Sequence, residues 1–275
     1  MVTADGAATI VAADGAATRI MRRTAGDMDV AGRRALVTGA SLGIGRATAI
    51  ALARRGARVW ATGLEAEPLN SLGRLCGAAV LAADLSVAEE LDTLLEWVGQ
   101  VDLLVNVAGF GRYESFAEID HAATLEMLAV NLAAPIRLTA ALGSGMVERG
   151  RGHIVNVASI AGTLGVAHEA VYAASKGGLI AFSESVRYEL AGTGVGVTVV
   201  VPAAVETSFF ARRGRAYTRR FPRPVAAERV AAALVAAIER DATGVFVPRW
   251  MIVPARLHGG LPGAFRRAAK RSMRG

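Results

Sequence analysis

The chain has 275 residues, of which 53% are hydrophobic, and a formal net charge of +7. Its length suits one α/β domain with a sizeable core. Gly, Pro or charged residues interrupt every apolar run well short of the roughly 18–20 residues that a membrane-spanning helix needs. The single cysteine, Cys76, excludes an internal disulfide, which is typical of a reducing cytoplasm.

The first 20 residues contain a short repeat, VTADGAATI followed by VAADGAATR, with few large apolar side chains. Such a composition contributes little to a core, so residues 1–30 are predicted to form a flexible N-terminal extension. Acidic residues precede the arginines in this segment, whereas a secretory signal peptide begins with its basic end. We therefore expect a cytoplasmic protein.

From Arg33 onward, short β-branched runs alternate with longer helical segments. Uniformly apolar strands are buried on both faces, so the alternation predicts a single α/β domain with a parallel, doubly wound sheet of about seven strands and helices on both faces. The predicted strands are 34–38, 57–62, 79–83, 101–106, 153–158, 195–201 and 245–247. The predicted helices are 44–55, 87–99, 121–149, 169–191 and 226–240.

The first predicted strand leads into a glycine-rich turn, TGASLGIG at 38–45, and then into a helix. Gly39 permits the tight turn, Gly43 lets the backbone approach a phosphate, and Gly45 allows the helix to pack closely on the strand. The free N–H groups and partial positive charge of the helix N-terminus suit a pyrophosphate. This strand-turn-helix context predicts a Rossmann-type dinucleotide site.

The end of the second predicted strand bears on the choice of dinucleotide. In such folds an acidic residue about 20 positions after the turn holds the ribose 2′-hydroxyl of NAD. Here the corresponding residues are Gly63 and Leu64, and the missing acid favours NADP, whose 2′-phosphate an acid would repel. NAD stays open, because no arginine follows directly and Glu65 and Glu67 are nearby.

A second motif, YAASK at 172–176, contains one of the chain's two lysines. Tyr172 and Lys176 are four residues apart, which places them on one helix face. A free phenol has a pKa near 10, and a neighbouring ammonium lowers that value. Ser159 follows the predicted strand 153–158 and places a hydroxyl at the strand ends where ligands bind in this architecture.

With these residues the chain resembles the short-chain dehydrogenases/reductases, over about residues 31–250. The matching motifs are TGASLGIG (38–45), Asp84 with Leu85, NVAG (106–109), Asn131 in VNLAAP, Ser159 and YAASK. The resemblance implies an NAD(P)-dependent oxidoreductase that interconverts a ketone or aldehyde and an alcohol by hydride transfer. It implies one catalytic domain at 31–250, with residues 251–275 as a basic C-terminal extension.

The resemblance also implies residue roles. Tyr172 would be the general acid/base, Ser159 would hold the substrate oxygen, Lys176 would lower the tyrosine pKa and bind the nicotinamide ribose, and Asn131 would anchor a water that links Lys176 to solvent. Asp84 would contact the adenine, and Asn106 and Gly109 would line the cofactor cleft. The implied cofactor-binding set is Gly39, Ser41, Gly43, Ile44, Gly45, Asp84, Leu85, Asn106, Ala108, Gly109, Tyr172, Lys176, Val205 and Thr207. No metal site is expected.

Two positions depart from the family pattern. Val107 replaces the second asparagine of the common NNAG, and PAAVET at 202–207 replaces the usual Pro-Gly after the sixth strand. Ala203 has less backbone freedom than glycine, but Val205 and Thr207 keep their places, so we expect cofactor binding to survive.

Basic residues concentrate toward the C-terminus. Residues 200–275 carry 15 basic and 4 acidic side chains, whereas residues 1–199 carry 16 and 20. This distribution indicates either a solvated face or an anionic partner, such as a phosphorylated or thioester-linked substrate, an acidic carrier protein or a lipid surface contacted through the basic C-terminal region. Nucleic acid is not expected, because no recognition motif accompanies the charge.

The segment SFFARRGRAYTRRFPRP at 208–224 occupies the place of the family's substrate lid. Phe209, Phe210 and Tyr217 could form an apolar wall with an arginine rim, which suits an apolar substrate with an anionic group. A homodimer or homotetramer is expected from the family. The alternative function is a regulatory or scaffolding module that binds the cofactor without turnover. A pure binder has no physical need for the set of Ser159, Tyr172, Lys176 and Asn131.

Overall fold

The computed structural model of the chain describes residues 28–218, 221–263, 265 and 267. Most of the predicted N-terminal extension and most of the basic end after Leu261, including Lys270, lie outside these residues. Within the described part, Met28 already donates its backbone N–H to the Glu239 carbonyl at 3.0 Å, and Val30 is buried in the core. The packed domain thus includes residues 28–30.

The strands follow the predicted order along the chain. Within the described residues they are β1 (Arg34–Val37), β2 (Arg58–Gly63), β3 (Ala79–Ala82), β4 (Leu103–Asn106), β5 (Gly152–Val157), β6 (Val195–Pro202), β7 (Val205–Glu206), β8 (Val225–Ala226) and β9 (Gly244–Val247). Seven of them form one parallel sheet in the order β3-β2-β1-β4-β5-β6-β9, and β7 pairs with β8 separately. The predicted parallel sheet of about seven strands is confirmed.

The α-helices of the described residues cover both faces of the sheet. They are α1 (Gly43–Arg54), α2 (Ala66–Cys76), α3 (Ala88–Val98), α4 (His121–Leu128), α5 (Ala134–Glu148), α6 (Ile160–Leu164), α7 (Ala170–Glu189), α8 (Phe209–Arg212), α9 (Ala227–Glu239) and α10 (Ile252–Gly260). A π-helical turn, Ala129–Ala133, joins α4 to α5, and a 3₁₀ turn, Arg249–Met251, precedes α10.

Alternation along the strands divides the core between the two faces. Ala35 and Val37 of β1 pack in one cluster with α1 and α9, whereas Leu36 between them packs in a second cluster with α3 and α5. Because successive strand side chains point to opposite faces, an uninterrupted apolar strand is buried on both sides. This double burial holds the strand ends in fixed positions at one edge of the sheet.

The segment His121–Glu148 is long and apolar enough, with a mean hydropathy of 1.4, to cross a membrane by length and composition. In the fold it lies against the sheet, where Leu138, Leu142 and Met146 pack in the same cluster as Ile154 of β5. Its apolar face is therefore used by the core of the domain.

Candidate active site

A large cleft lies at the carboxyl ends of the strands, at the crossing point between β1 and β4 where the strand order reverses. Such a crevice is the usual ligand site of a doubly wound sheet. Its volume is about 1570 Å³, whereas a drug-sized ligand site occupies roughly 300–1,000 Å³. The cleft therefore has room for a dinucleotide and a second molecule beside it.

The glycine-rich turn forms one end of the cleft. Gly39 and Gly43 have φ values of +64° and +54°, a region that side chains disfavour. A Cβ on Gly45 would lie 2.2 Å from the Gly39 carbonyl oxygen, so the third glycine is required by packing. The hydroxyl of Thr38 accepts from the backbone N–H groups of Val107 and Ala108 at 3.0 and 3.1 Å, which fixes the turn against β4.

The residues in this turn fit a dinucleotide. The hydroxyl of Ser41 is buried at the cleft wall and has no hydrogen-bond partner within the described part of the chain. A Cβ on Gly63, at the end of β2, would come within 2.3 Å of that hydroxyl. A polar group without a partner beside a glycine cradle at a helix N-terminus suits a phosphate-bearing ligand.

Tyr172 and Ser159 meet on the floor of the cleft. Ser159 precedes α6 and accepts from the Ala161 N–H at 3.2 Å, which leaves its own proton to donate to the Tyr172 phenol. Burial raises the pKa of Tyr172 to about 12, and the hydrogen bond from Ser159 opposes this shift. Burial, and not the Lys176 charge expected from the sequence, dominates this pKa, and a phenol with a pKa of about 12 is protonated at neutral pH.

Lys176 lies one turn further along α7 and is also buried. Its ammonium donates to the Val157 carbonyl at 3.0 Å, and a Cβ on Gly109 would lie 3.0 Å from the Lys176 Nζ. Burial lowers the pKa of Lys176 to about 8. The ammonium is thus held tightly at the wall of the cleft, with its backbone partner on β5.

Asn131 lies in the π-helical turn between α4 and α5. Its Nδ2 donates to the Phe110 carbonyl at 2.8 Å and to the Ser175 hydroxyl at 3.1 Å, and its Oδ1 accepts from the Phe110 N–H at 3.0 Å. Asn131 does not line the cleft itself, but its Oδ1 would be 2.9 Å from a Cβ on Gly109. It therefore lies next to the Lys176 ammonium, behind one layer of backbone.

Most of the predicted site residues line the cleft, whereas Asn131 lies behind its wall and Asn106 lies in the sheet. The residues that line the cleft are Gly39, Ser41, Gly43, Ile44, Gly45, Asp84, Leu85, Ala108, Gly109, Ser159, Tyr172, Lys176, Val205 and Thr207. The expectation that Asn106 lines the cleft is wrong, because its side chain is turned into the sheet and donates to Asn156 Oδ1 at 2.8 Å. Asp84 accepts two hydrogen bonds from Ser86.

The alanine that replaces glycine after β6 fits without strain. Ala203 is not among the non-glycine residues with positive φ in the described chain, which are His168 and Asp241. Its N–H donates to the Val247 carbonyl at 2.8 Å. The local backbone conformation is therefore open to alanine, and the departure from the family pattern leaves the cleft wall in place.

Aromatic rings form the other half of the cleft. Phe209 lies 5.3 Å from the Tyr172 ring, Phe210 lies 5.6 Å from Phe209, and Tyr217 lies 4.9 Å from Phe210, all between centroids. These lid residues come from α8 and the segment after it. The apolar wall that the sequence predicts is thus present, and it begins at the Tyr172 ring itself.

An ion pair that the sequence did not reveal anchors this wall. Arg213 pairs with Glu169, and both side chains are nearly buried. The Arg213 guanidinium also lies over the Phe210 ring at 4.6 Å and over the Tyr113 ring at 5.3 Å. Because Glu169 directly precedes the helix that carries Tyr172, the pair ties the lid to the Tyr172 helix.

Residues after position 220 also line the cleft. They are Phe221, Met251, His258 and Phe265, of which the exposed Phe221 lies at the mouth, and α10 contacts α6. The part of the predicted C-terminal extension that the structure describes therefore packs on the domain beside the lid.

Comparison with known proteins agrees with this geometry. The model of the short chain dehydrogenase family matches residues 33–218. An uncharacterized oxidoreductase of Myxococcus xanthus is 36% identical over 254 residues, which cover 88% of this chain and 98% of the relative. The 3-oxoacyl-[acyl-carrier-protein] reductase FabG of Escherichia coli is 37% identical over 186 residues, which cover 66% of this chain and 76% of that protein.

A solved structure shares the fold. A short-chain dehydrogenase from Sphingobium yanoikuyae, in complex with NADPH, aligns with a TM-score of 0.74 at 26% identity. The alignment covers 84% of this chain and 96% of that one. The similarity therefore extends across the sheet and its helices.

Proposed function

The chain belongs to the short-chain dehydrogenase/reductase family of NAD(P)-binding oxidoreductases, and from that premise we propose that it reduces a ketone or aldehyde to an alcohol with NADPH. The observation that carries the proposal is the position of the buried Tyr172 phenol, hydrogen-bonded to Ser159 on the floor of the cleft. A reduction needs a proton donor at the substrate oxygen, and a phenol whose pKa is about 12 keeps its proton at neutral pH.

The bound nicotinamide dinucleotide supplies the hydride. With substrate bound, the Ser159 hydroxyl turns its one proton from the phenol to the carbonyl oxygen of the substrate, and Tyr172 transfers its own proton to that oxygen as negative charge develops there. Lys176 lies one helical turn from Tyr172 at the wall of the cleft, and we assign its ammonium to the nicotinamide ribose and not to a direct effect on the phenol. Asn131 and its partner Phe110 fix the backbone between Lys176 and the cleft.

Several groups are proposed to hold the cofactor. The backbone of the glycine turn and the Ser41 hydroxyl suit the phosphates, Asp84 and Leu85 lie where the adenine is expected, and Lys176 is placed for the nicotinamide ribose. Val205 and Thr207 close the cleft from the β6 side. These assignments follow the family resemblance and the fit of the cleft.

The preference for NADPH is supported by the end of β2. Gly63 has no side chain, and Leu64 beside it is exposed. The nearest acid that lines this end, Glu65, is paired with Arg212 from the lid at 2.6 Å. No unpaired carboxylate among these three residues therefore opposes a 2′-phosphate.

The substrate is proposed to be an apolar small molecule, since the wall beside Tyr172 consists of Phe209, Phe210 and Tyr217.

The expected homo-oligomer is supported by exposed apolar side chains on three helices. They are Leu125 on α4, Val147 on α5 and Tyr188 on α7. Light scattering on the purified protein measures the oligomeric state. A cytoplasmic location also stays a proposal, and cell fractionation tests it.

A carbonyl panel tests the function. Purified protein is assayed with NADPH and with NADH against ketones and aldehydes of increasing apolar size, and we expect NADPH-dependent turnover that grows with apolar size. Tyr172→Phe keeps the ring packing and removes the proton, so turnover should fall by about 10² to 10⁴ while the NADPH dissociation constant stays within about twofold. Cofactor binding without turnover by the parent protein would instead identify a regulatory binding module.

A further inference from the structure

Helix α10 is apolar on two opposite sides. Its inner side packs near α6, and Met251 just before it is buried. Its outer side exposes Trp250, Val253, Leu257 and Leu261 by 42%, 55%, 49% and 61%. Val253 and Leu257 are four positions apart on α10, which places them on one helix face, and Trp250 and Leu261 adjoin the two ends of this helix. No residue in the part of the chain that the structure describes covers this outer face.

The exposed face continues into the mouth of the cleft. Phe221 lines the cleft, is 68% exposed, and stacks on Trp250 with the ring centroids 4.8 Å apart. We call Phe221, Trp250, Val253, Leu257 and Leu261 the α10 patch. A contiguous exposed apolar patch on a water-soluble surface marks a site of interaction. Whatever covers the α10 patch therefore also meets the entrance of the cleft.

Arginines border the patch. Arg249 and Arg256 are exposed on the 3₁₀ turn and on α10, seven residues apart and on one flank of the apolar face. Arg223 is exposed close in sequence to Phe221. In the sequence, residues 200–275 carry 15 basic and 4 acidic side chains. An apolar stripe with a tryptophan and a basic border has the composition of a surface that lies on an anionic bilayer.

The charge distribution disfavours a second copy of the chain as the occupant. A two-fold contact through this patch would place the same surface on both partners, so each copy would add its own bordering arginines to the interface. Like charges brought together across an interface oppose association. Anionic headgroups instead complement the arginines, while acyl chains cover the apolar stripe.

We propose that the α10 patch docks the protein onto an anionic lipid surface, with the cleft mouth facing the bilayer. Phe221, which lines the cleft and directly precedes the hydrogen-bond partner of Tyr217, Pro222, then connects the acyl region to the aromatic wall inside the cleft. If the proposed function holds, the substrate is a carbonyl compound apolar enough to reside in the bilayer. The test of docking does not depend on the proposed function, because lipid binding is measured in the absence of turnover.

Vesicle co-sedimentation of the full chain tests the docking. We expect binding to vesicles of phosphatidylcholine with phosphatidylglycerol, and much weaker binding to phosphatidylcholine alone. Val253→Ser and Leu257→Ser each remove a group that does not line the cleft, and each should weaken binding about tenfold. Leu75→Ser, at a comparably exposed leucine of α2, is the matched control and should change nothing.

Charge variants measure the electrostatic contribution to vesicle binding. Arg249→Gln and Arg256→Gln should each weaken binding to the anionic vesicles about fivefold. Arg229→Gln removes the same charge from α9, outside the patch, and should leave binding almost unchanged. An equal effect of all three arginine variants would overturn the patch, because it would show attraction by net charge alone.

Tryptophan quenching reports the orientation. Lipids brominated in their acyl chains should quench part of the protein fluorescence, and Trp250→Phe should abolish that quenching while Trp60 and Trp97 remain. Two results overturn the proposal: no sedimentation with either vesicle, or a smaller oligomer for the Val253→Ser variant by light scattering, which would make the patch an interface between copies. Vesicle binding by a protein that turns over no carbonyl would retain the docking and reject the proposed function.

Discussion

The two halves of the cleft are built from different materials. The cofactor half consists of backbone: three glycines, the N-terminus of α1 and the ends of strands that the core holds from both faces. The substrate half consists of side chains: an aromatic series from Tyr172 to Tyr217 and one nearly buried ion pair. Variants of the lid should therefore change substrate handling while the cofactor half stays intact.

The largest effect that separates the halves is expected at the ion pair. Arg213→Met leaves the Glu169 carboxylate buried without its partner, and breaking such a pair costs about 3–5 kcal/mol of unfolding free energy. The lid should also lose its anchor, so KM for the carbonyl substrate should rise. The NADPH dissociation constant should stay close to that of the parent. Chemical denaturation, steady-state kinetics and cofactor titration measure the three quantities.

The matched control removes both charges. In Glu169→Met/Arg213→Met no charge is left unpaired, so most of the lost stability should return. The raised KM should persist, because the link between the lid and α7 is still missing. If the double variant recovers the parent KM as well as its stability, the pair has only a structural role and does not position the lid.

The difference between the backbone-built cofactor half and the side-chain-built substrate half also determines which features the sequence could predict. The strands, the glycine turn and the pair of Tyr172 with Lys176 were predictable, because each depends on local pattern and on the common edge at which parallel strands end. The ion pair was not, since its partners are 44 positions apart in the sequence and each looks like an ordinary surface charge. Only the structure shows that the Arg213 guanidinium packs between the rings of Tyr113 and Phe210 at the lid.

Other differences have equally local causes. Helix α2 was not predicted, because Pro68 and Gly73 interrupt its pattern, although proline is tolerated in a first turn. Asn106 occupies the expected motif position, but the sequence does not show that Asn156 on β5 binds its amide. The apolar residues on the outer face of α10 fit ordinary helix periodicity in the sequence. Only the structure shows that nothing in the described chain covers them.

A second prediction concerns the cofactor half and the pH dependence of stability. Burial lowers the pKa of Lys176 from 10.5 to about 8. Below about pH 8 the lysine is charged in both states, and between that pH and its unfolded value the folded state releases the proton first. The unfolded state then binds more protons, so stability rises with pH in this window. Tyr172, whose pKa is raised from 10.0, acts in the opposite direction only above that value.

Denaturation from about pH 7.5 to about pH 10 measures the effect. The parent should gain up to about 2–3 kcal/mol relative to Lys176→Met, which has no proton to release. Subtracting the two curves removes the contributions of all other groups. Parallel curves would show that the ammonium is not buried as the structure has it, and that water reaches the cofactor half.

The smallest expected effect concerns Gly63 and the choice between NADPH and NADH in the cofactor half. Gly63→Asp places a carboxylate at the end of β2, where it should repel a 2′-phosphate and bind ribose hydroxyls instead. A Cβ there lies 2.3 Å from the Ser41 hydroxyl, which must rotate, so both cofactors should bind somewhat more weakly. Gly63→Asn has the same size without the charge and measures the steric contribution to the weaker binding.

We expect the ratio of NADPH to NADH affinity to fall about tenfold in the Asp variant, a difference of about 1.4 kcal/mol, and to be unchanged in the Asn variant. Titration calorimetry with both cofactors measures the ratio. An equal fall in both variants would assign the cofactor preference to the shape of the backbone cradle, and a ratio near one in the parent would reject the NADPH preference itself.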